Sequence, residues 1–168
     1  MNELIIRIAA VGDDREVSAL LDASYSTLLQ GHYKNELLVV VLPLMTKANP
    51  HLLASGTYYV AKTADEECIG CGGWTLERPG DGEIQHGVAH IRHFATHPRW
   101  LRKGIARALL SRCIQDAEER SIRTLECYST LNASHFYGSA GFKRIRTFEM
   151  PLTQETKFPA IHMTRTQG

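Results

Sequence analysis

Apolar and polar positions alternate along this chain in a way that divides it into a regular succession of elements. Leu4–Ala9 reads as a first strand. "VGDD" then offers Asp13 or Asp14 as a helix cap, with Val17, Leu20, Leu21 and Ser24 following at helical spacing. That helix ends near "QGHY", where Gly31 can adopt positive φ. A second helical run is expected over Asn35–Lys47, stopping at "ANP". "TYYVAKT", the turn "ADEE" and "CIGCGGWTL" make a strand–turn–strand unit. "ERPGDGEIQHG" is a loop that divides hairpin from hairpin, not domain from domain, since neither half would hold a complete core. "VAHIRHFATH" resumes strand character until Pro98 stops it. Ile105, Leu109 and Cys113 at four-residue steps, flanked by Leu110, Ile114 and Ala117, predict a long helix over about Gly104–Arg120. "TLECYS" is a short strand, Ser134–Ala140 a short helix ended by Gly141, and "FKRIRTFEM" and "AIHMTRT" two closing strands.

The expected order is β-α-α-β-β-β-α-β-α-β-β. Strands joined by tight turns should be antiparallel, and those joined through the Gly104 helix parallel neighbours. The fold class is therefore α/β (α+β), a mixed, mostly antiparallel central sheet flanked by helices. With 168 residues, the chain fits a single domain over 1–168 that can bury a core without metal or disulfide staples.

Composition narrows the function classes. A net charge of +1 gives no general field to draw in nucleic acid or an anionic membrane, so neither partner is expected and any polyanion site must be local. The longest apolar stretch, "LLVVVLPLM", is nine residues and carries Pro43, whereas a span needs about 20 residues. "MNELIIRIAA" is too short an apolar run for a secretory signal, so a cytoplasmic location is the simplest expectation. Cys68 and Cys71 form a C-x-x-C, but residues three apart on a regular strand face opposite sides, and no second pair follows. They read as buried small apolar residues. His90, His93 and His97 would share a face only on a helix, and this segment is a strand. No metal is expected.

"WLRKGIARALL" is the stretch with the most chemistry. A helix N-terminus offers free backbone N–H groups and partial positive charge, which attract phosphate. Gly104 and Ala106 let a ligand approach the backbone, and Arg102, Lys103 and Arg107 add mobile charge. Taken alone, the same residues serve equally as a solvated turn. Neither G-x-x-x-x-G-K-[ST] nor G-x-G-x-x-G occurs, which argues against a nucleoside triphosphatase and a dinucleotide fold.

"FATHPRWLRKGIARALL", followed by "LECYSTLNASHFYGSAGF", resembles the GNAT family of acyl-CoA-dependent N-acetyltransferases. The first stretch is similar to that family's coenzyme A signature, H-P and then Q/R-x-x-G-x-G/A opening a helix. The second resembles its later "N…A…FY…GF" signature. The likeness covers about Tyr58–Met163 by element order and is sharpest over Phe94–Phe142. One departure is that the Q/R position falls on Leu101, which neighbouring Arg99 or Arg102 could offset.

The resemblance implies acetyl-CoA as cosubstrate, an amine acceptor, and direct transfer in a ternary complex. It implies that the amides of about Arg102, Lys103, Gly104, Ile105 and Ala106 hold the pyrophosphate. By the same likeness, Phe94 and Thr96 pair their backbones with the pantetheine arm, and an N–H of Phe94 or Ala95 faces the thioester oxygen. Tyr137 stands where the family places a tyrosine close to the sulfur, and is the candidate acid. Its alternative is an aromatic packing the last helix on the sheet. For the base, His90 occupies the place of a glutamate found in some members; Glu126 and Glu83 are weaker options. His93 faces the other side unless a bulge shifts it. Asn132 either caps the last short helix or bonds the cofactor. Tyr25, Tyr33, Trp74 and Glu77 could frame the acceptor entrance or serve as core. A non-catalytic acyl-CoA-binding module is the second reading. Small amine, amino acid, antibiotic and peptide N-terminus all stay open as acceptors, and so does a homodimer.

Overall fold

The computed structural model describes residues 3–168. Its framework is a seven-stranded sheet ordered β1–β2–β3–β4–β5–β7–β6. The strands are β1 (Ile5–Ile8), β2 (Tyr58–Lys62), β3 (Cys68–Thr75), β4 (Val88–Thr96), β5 (Thr124–Ser129), β6 (Lys143–Pro151) and β7 (Lys157–Thr166). Every neighbouring pair is antiparallel except β4–β5, the parallel pair joined through the helix that follows Gly104. Helices α1 (Asp14–Leu28) and α4 (Ile105–Glu119) pack on opposite faces. Also present are α2 (Asn35–Met45), a one-turn α3 (Pro50–Leu53) that the sequence pattern did not announce, and α5 (Ser134–Ser139).

Strand alternation explains the two faces. Tyr59 and Ala61 turn toward α4, where Ile105, Leu109, Leu110, Cys113 and Ala117 make a continuous buried stripe. Tyr58 and Val60 turn the other way, against Val17, Leu20 and Leu21 of α1. Each large aliphatic side chain so buried contributes about 1.5–3 kcal/mol relative to exposure. Trp74 joins the α4-side core, with the Arg120 guanidinium 5.1 Å from its ring centre. It is therefore core and not part of an acceptor entrance. Tyr33 is buried as well and ties the α1–α2 connection to β7, its hydroxyl donating to the Pro159 carbonyl at 2.7 Å.

Two local expectations change in the fold. Asp13 occupies the N-cap position of α1 but makes no side-chain cap bond. Its carboxylate instead takes both Arg7 Nη atoms at 2.8 Å, and this pairing pulls its pKa down to about 2. Cys68 and Cys71 do not face opposite sides: a register shift between Ala61 and Lys62 against β3 brings both against the α1-side cluster. All four cysteines are free. Among the described residues no group of three or more His, Cys, Asp or Glu is placed to hold a metal, and no helix is long and apolar enough to cross a membrane.

Two irregularities in β4 position the site. First, β4 and β5 pair over only three register positions, Val88–Thr124, Ala89–Leu125 and His90–Glu126, after which the strands separate. Second, β4 bulges against β3: Gly73 pairs with Arg92 and Cys71 with Ala95, so Gly72 alone faces both His93 and Phe94. His93 takes φ +52°, a left-handed conformation uncommon for a residue with a side chain.

Candidate active site

Where β4 and β5 part, a cleft of about 540 Å³ opens between the end of α1, the start of α4 and α5. At one end the turn before α4 supplies exposed Arg102 and Gly104, with φ of +61° and +79°. The first helical bond is Ala108 N–H to the Gly104 carbonyl at 2.9 Å, so the amides of the preceding turn are left for a ligand. A Cβ built on Gly104 would meet nothing within 4 Å. The left-handed backbone angle favours glycine there, and the space beside it is open. Ile105 and Ala106 follow along the wall, whereas Lys103 is exposed and does not line the cleft. Leu101 lies at the rim, 39% exposed. Of the two arginines that could stand in for it, Arg102 lines the cleft and Arg99 does not.

The bulge forms the middle wall, through Phe94, Ala95 and Thr96. It is clamped by two tyrosines, of which Tyr25 also lines the cleft. Tyr58 Oη donates to the His93 carbonyl at 2.7 Å, and Tyr25 Oη to the Phe94 carbonyl at 2.8 Å. The His93 ring is carried to the α1–α2 side, with Nε2 2.9 Å from the Met45 carbonyl. Burial pushes its pKa below the ordinary imidazole value. Sequence pattern had not marked Tyr58, because its role depends on which strand lies beside which.

At the far end stands Tyr137, only 6% exposed and walled by Phe94, Phe136 and Phe142. Burial raises its pKa well above the ordinary phenol value, with the neighbouring Cys127 thiol adding to the effect. Asn132 also lines the cleft, and its Oδ1 is buried with no partner among the described residues. The cap alternative falls away for it: the N-cap of α5 is Ala133, without a side-chain cap bond. An orphaned acceptor facing a cleft is a position for a ligand donor.

His90 is brought to the apex of the opening and not into it. The side chain is buried, 5% exposed, and the cleft begins at its neighbour Ile91. Laterally it faces Thr75 and Glu126. Desolvation lowers its pKa, against the opposing pull of Glu126, and so favours the neutral ring.

A mixed sheet thus parts beside a glycine-opened helix, with a tyrosine at the far end of the gap. A family model described as an acetyltransferase (GNAT) domain matches residues 40–166, and the chain belongs to that family. The PaiA N-acetyltransferase from Thermoplasma acidophilum, solved in complex with coenzyme A, superposes with a TM-score of 0.72 at 17% identity, covering 98% of this chain and 99% of that one. A GCN5-related N-acetyltransferase from Rhodopseudomonas palustris gives 0.79 at 16% identity, covering 99% and 98%. The ribosomal-protein-S18-alanine N-acetyltransferase from Escherichia coli gives 0.65 at 16%, covering 98% and 94%. No curated protein matches the sequence.

Proposed function

We propose that this protein is an acetyl-CoA-dependent N-acetyltransferase that moves an acetyl group directly to a primary amine in a ternary complex. The observation that carries this reading is the continuity of one cleft from the free amides at the start of α4 to the hydroxyl-bearing ring of Tyr137. The free amides, with Arg102 and Lys103 beside them, suit a pyrophosphate. Phe94 and Thr96 offer strand backbone to an amide-containing arm, and Asn132 Oδ1 accepts one further hydrogen bond from it. Coenzyme A would supply the activated acetyl group as a thioester.

The chain's own groups then have separate tasks. An N–H of the bulge at Phe94 or Ala95 stabilises negative charge on the acyl oxygen. Tyr137, kept protonated by burial, donates to the departing sulfur. His90, kept neutral, receives the amine proton through a relay, since it has no contact with the cleft.

Calorimetric titration with CoA, together with thiol release from acetyl-CoA across an amine panel, tests the reading. Binding with amine-dependent release supports it; tight binding with no release on any amine identifies a binding module instead. In Gly104→Glu, bulk, charge and a strained φ enter the open space, and CoA binding is expected to be lost. Unchanged titration would remove the phosphate assignment.

A further inference from the structure

The peptide between His93 and Phe94 is held by a residue two strands away. Tyr58 lies on β2, and its ring crosses β3 on the α1 side to reach β4. The lane is open because Gly73, its ladder partner, has no side chain: a Cβ there would lie 2.9 Å from Tyr58 Cδ1. At the end of the lane the Tyr58 hydroxyl donates to the His93 carbonyl at 2.7 Å, and the Cys71 thiol lies 3.8 Å from it. Tyr58 is 1% exposed, and burial raises its pKa well above the ordinary phenol value, so the hydroxyl keeps its proton.

The ladder tells the neighbouring amides apart. His97 N–H donates to the Ile69 carbonyl at 2.9 Å, and hydrogen-bonded pairs recur at every second residue of antiparallel strands. Ala95 and Cys71 are in register two residues along, so the Ala95 N–H is spent on β3. His93 and Phe94 hold no ladder position, and β5 has already parted from β4 beyond His90. No peptide is cis among the described residues, so the Phe94 N–H points opposite to the His93 carbonyl. Tyr58 draws that carbonyl toward the α1-side core. The N–H is thereby turned the other way, where Phe94 lines the cleft. A donor on the carbonyl also polarises the peptide and strengthens its N–H as a donor in turn. His93 needs this fixing, because its φ of +52° is a conformation that persists only when its surroundings impose it.

We propose that Tyr58 is a positioning residue for acyl transfer: through the His93 carbonyl it aims and polarises the Phe94 N–H, which meets the acyl oxygen of the thioester. The role rests on the acetyl-transfer reading, but its effect on a bound thioester is read without turnover.

The experiment compares the full chain with Tyr58→Phe, using acetyl-CoA labelled with carbon-13 at the acetyl carbonyl. Difference infrared spectra of the wild type are expected to show the bound thioester band below its frequency in water. In Tyr58→Phe most of that displacement should be lost. With the best amine of the panel, kcat is expected to fall about tenfold or more, with both KM values within about twofold. An unmoved band or an unchanged kcat overturns the role. So does a rise in both KM values that matches the loss of kcat, which is what a merely loosened core produces. An unchanged CoA titration shows that Tyr58→Phe is folded. Replacing Tyr58 with 3-fluorotyrosine, a stronger donor of nearly the same shape, covers the case in which it is not. The band should then move further down, and a band that stays put overturns the role again. A displaced band that depends on Tyr58, with no amine releasing thiol, leaves the role standing and sinks the N-acetyl-transfer reading. Amine-dependent release that is indifferent to Tyr58→Phe sinks the role alone.

Discussion

Tyr137 keeps its proton because aromatic rings and a thiol replace water around its hydroxyl, leaving a phenolate without solvation. A donor that stays protonated across the working pH range can serve a leaving thiolate throughout it. Tyr137→Phe retains the ring packing and removes only the hydroxyl. Turnover is expected to fall about 100-fold or more, with CoA affinity unchanged, as read by steady-state kinetics and calorimetry. Turnover near wild type would remove Tyr137 as the acid. The cleft positions of Tyr137 and Asn132 were legible in the sequence because both sit inside short local motifs, "FYGSAGF" and "STLNASHFY". The place of Tyr58 was not. Its meaning comes from meeting the His93 carbonyl across an intervening strand, and no local spacing records that meeting.

At the scale of elements, the β4 bulge is the most constrained feature of the site. Tyr25 reaches it from α1, Tyr58 from β2 and the Met45 carbonyl from α2, while β3 gives way to it at Gly72. A Cβ on Gly72 would lie 2.5 Å from Phe94 Cδ1, too close for the ring to stay where it is. Gly72→Ala is therefore expected to lower stability by about 1–3 kcal/mol through overpacking and to weaken CoA binding as Phe94 moves into the cleft. Thermal or denaturant unfolding and calorimetry would measure the two effects, and an unperturbed melting temperature would contradict the close packing. The order of elements was legible from hydrophobic period and turn residues. The bulge was foreseen only as a condition under which His93 would change sides. It depends on register between β3 and β4, and that is decided by contacts with three other elements.

For the molecule as a whole, near-neutral charge coexists with a basic rim because Arg102, Lys103 and Arg107 all stand exposed around one helix start. Global stability carries its own electrostatic signature in Arg7–Asp13. The folded-state pKa of Asp13 is about 2, below its ordinary 3.8, so the pair's contribution is present above about pH 4 and lost as pH falls toward 2. Asp13→Asn should reduce denaturant midpoints at neutral pH, with the gap from wild type closing over that acid window. A gap that persists at pH 2 would assign the effect to packing. At this scale the mixed sheet and its parallel pair followed from the sequence, but the placement of β7 between β5 and β6 did not. A hairpin can present either strand to its neighbour, and here the choice sets His162 beside Glu126.

The three-rung junction between β4 and β5 has a mechanical meaning. Everything before it is one antiparallel ribbon and everything after it another, fastened together by a short zipper of main-chain bonds, by α4 and by the Tyr33 bridge from the α1–α2 connection to β7. A molecule wedged along both lips would act as a splint, coupling cofactor occupancy to the rigidity of the entire protein.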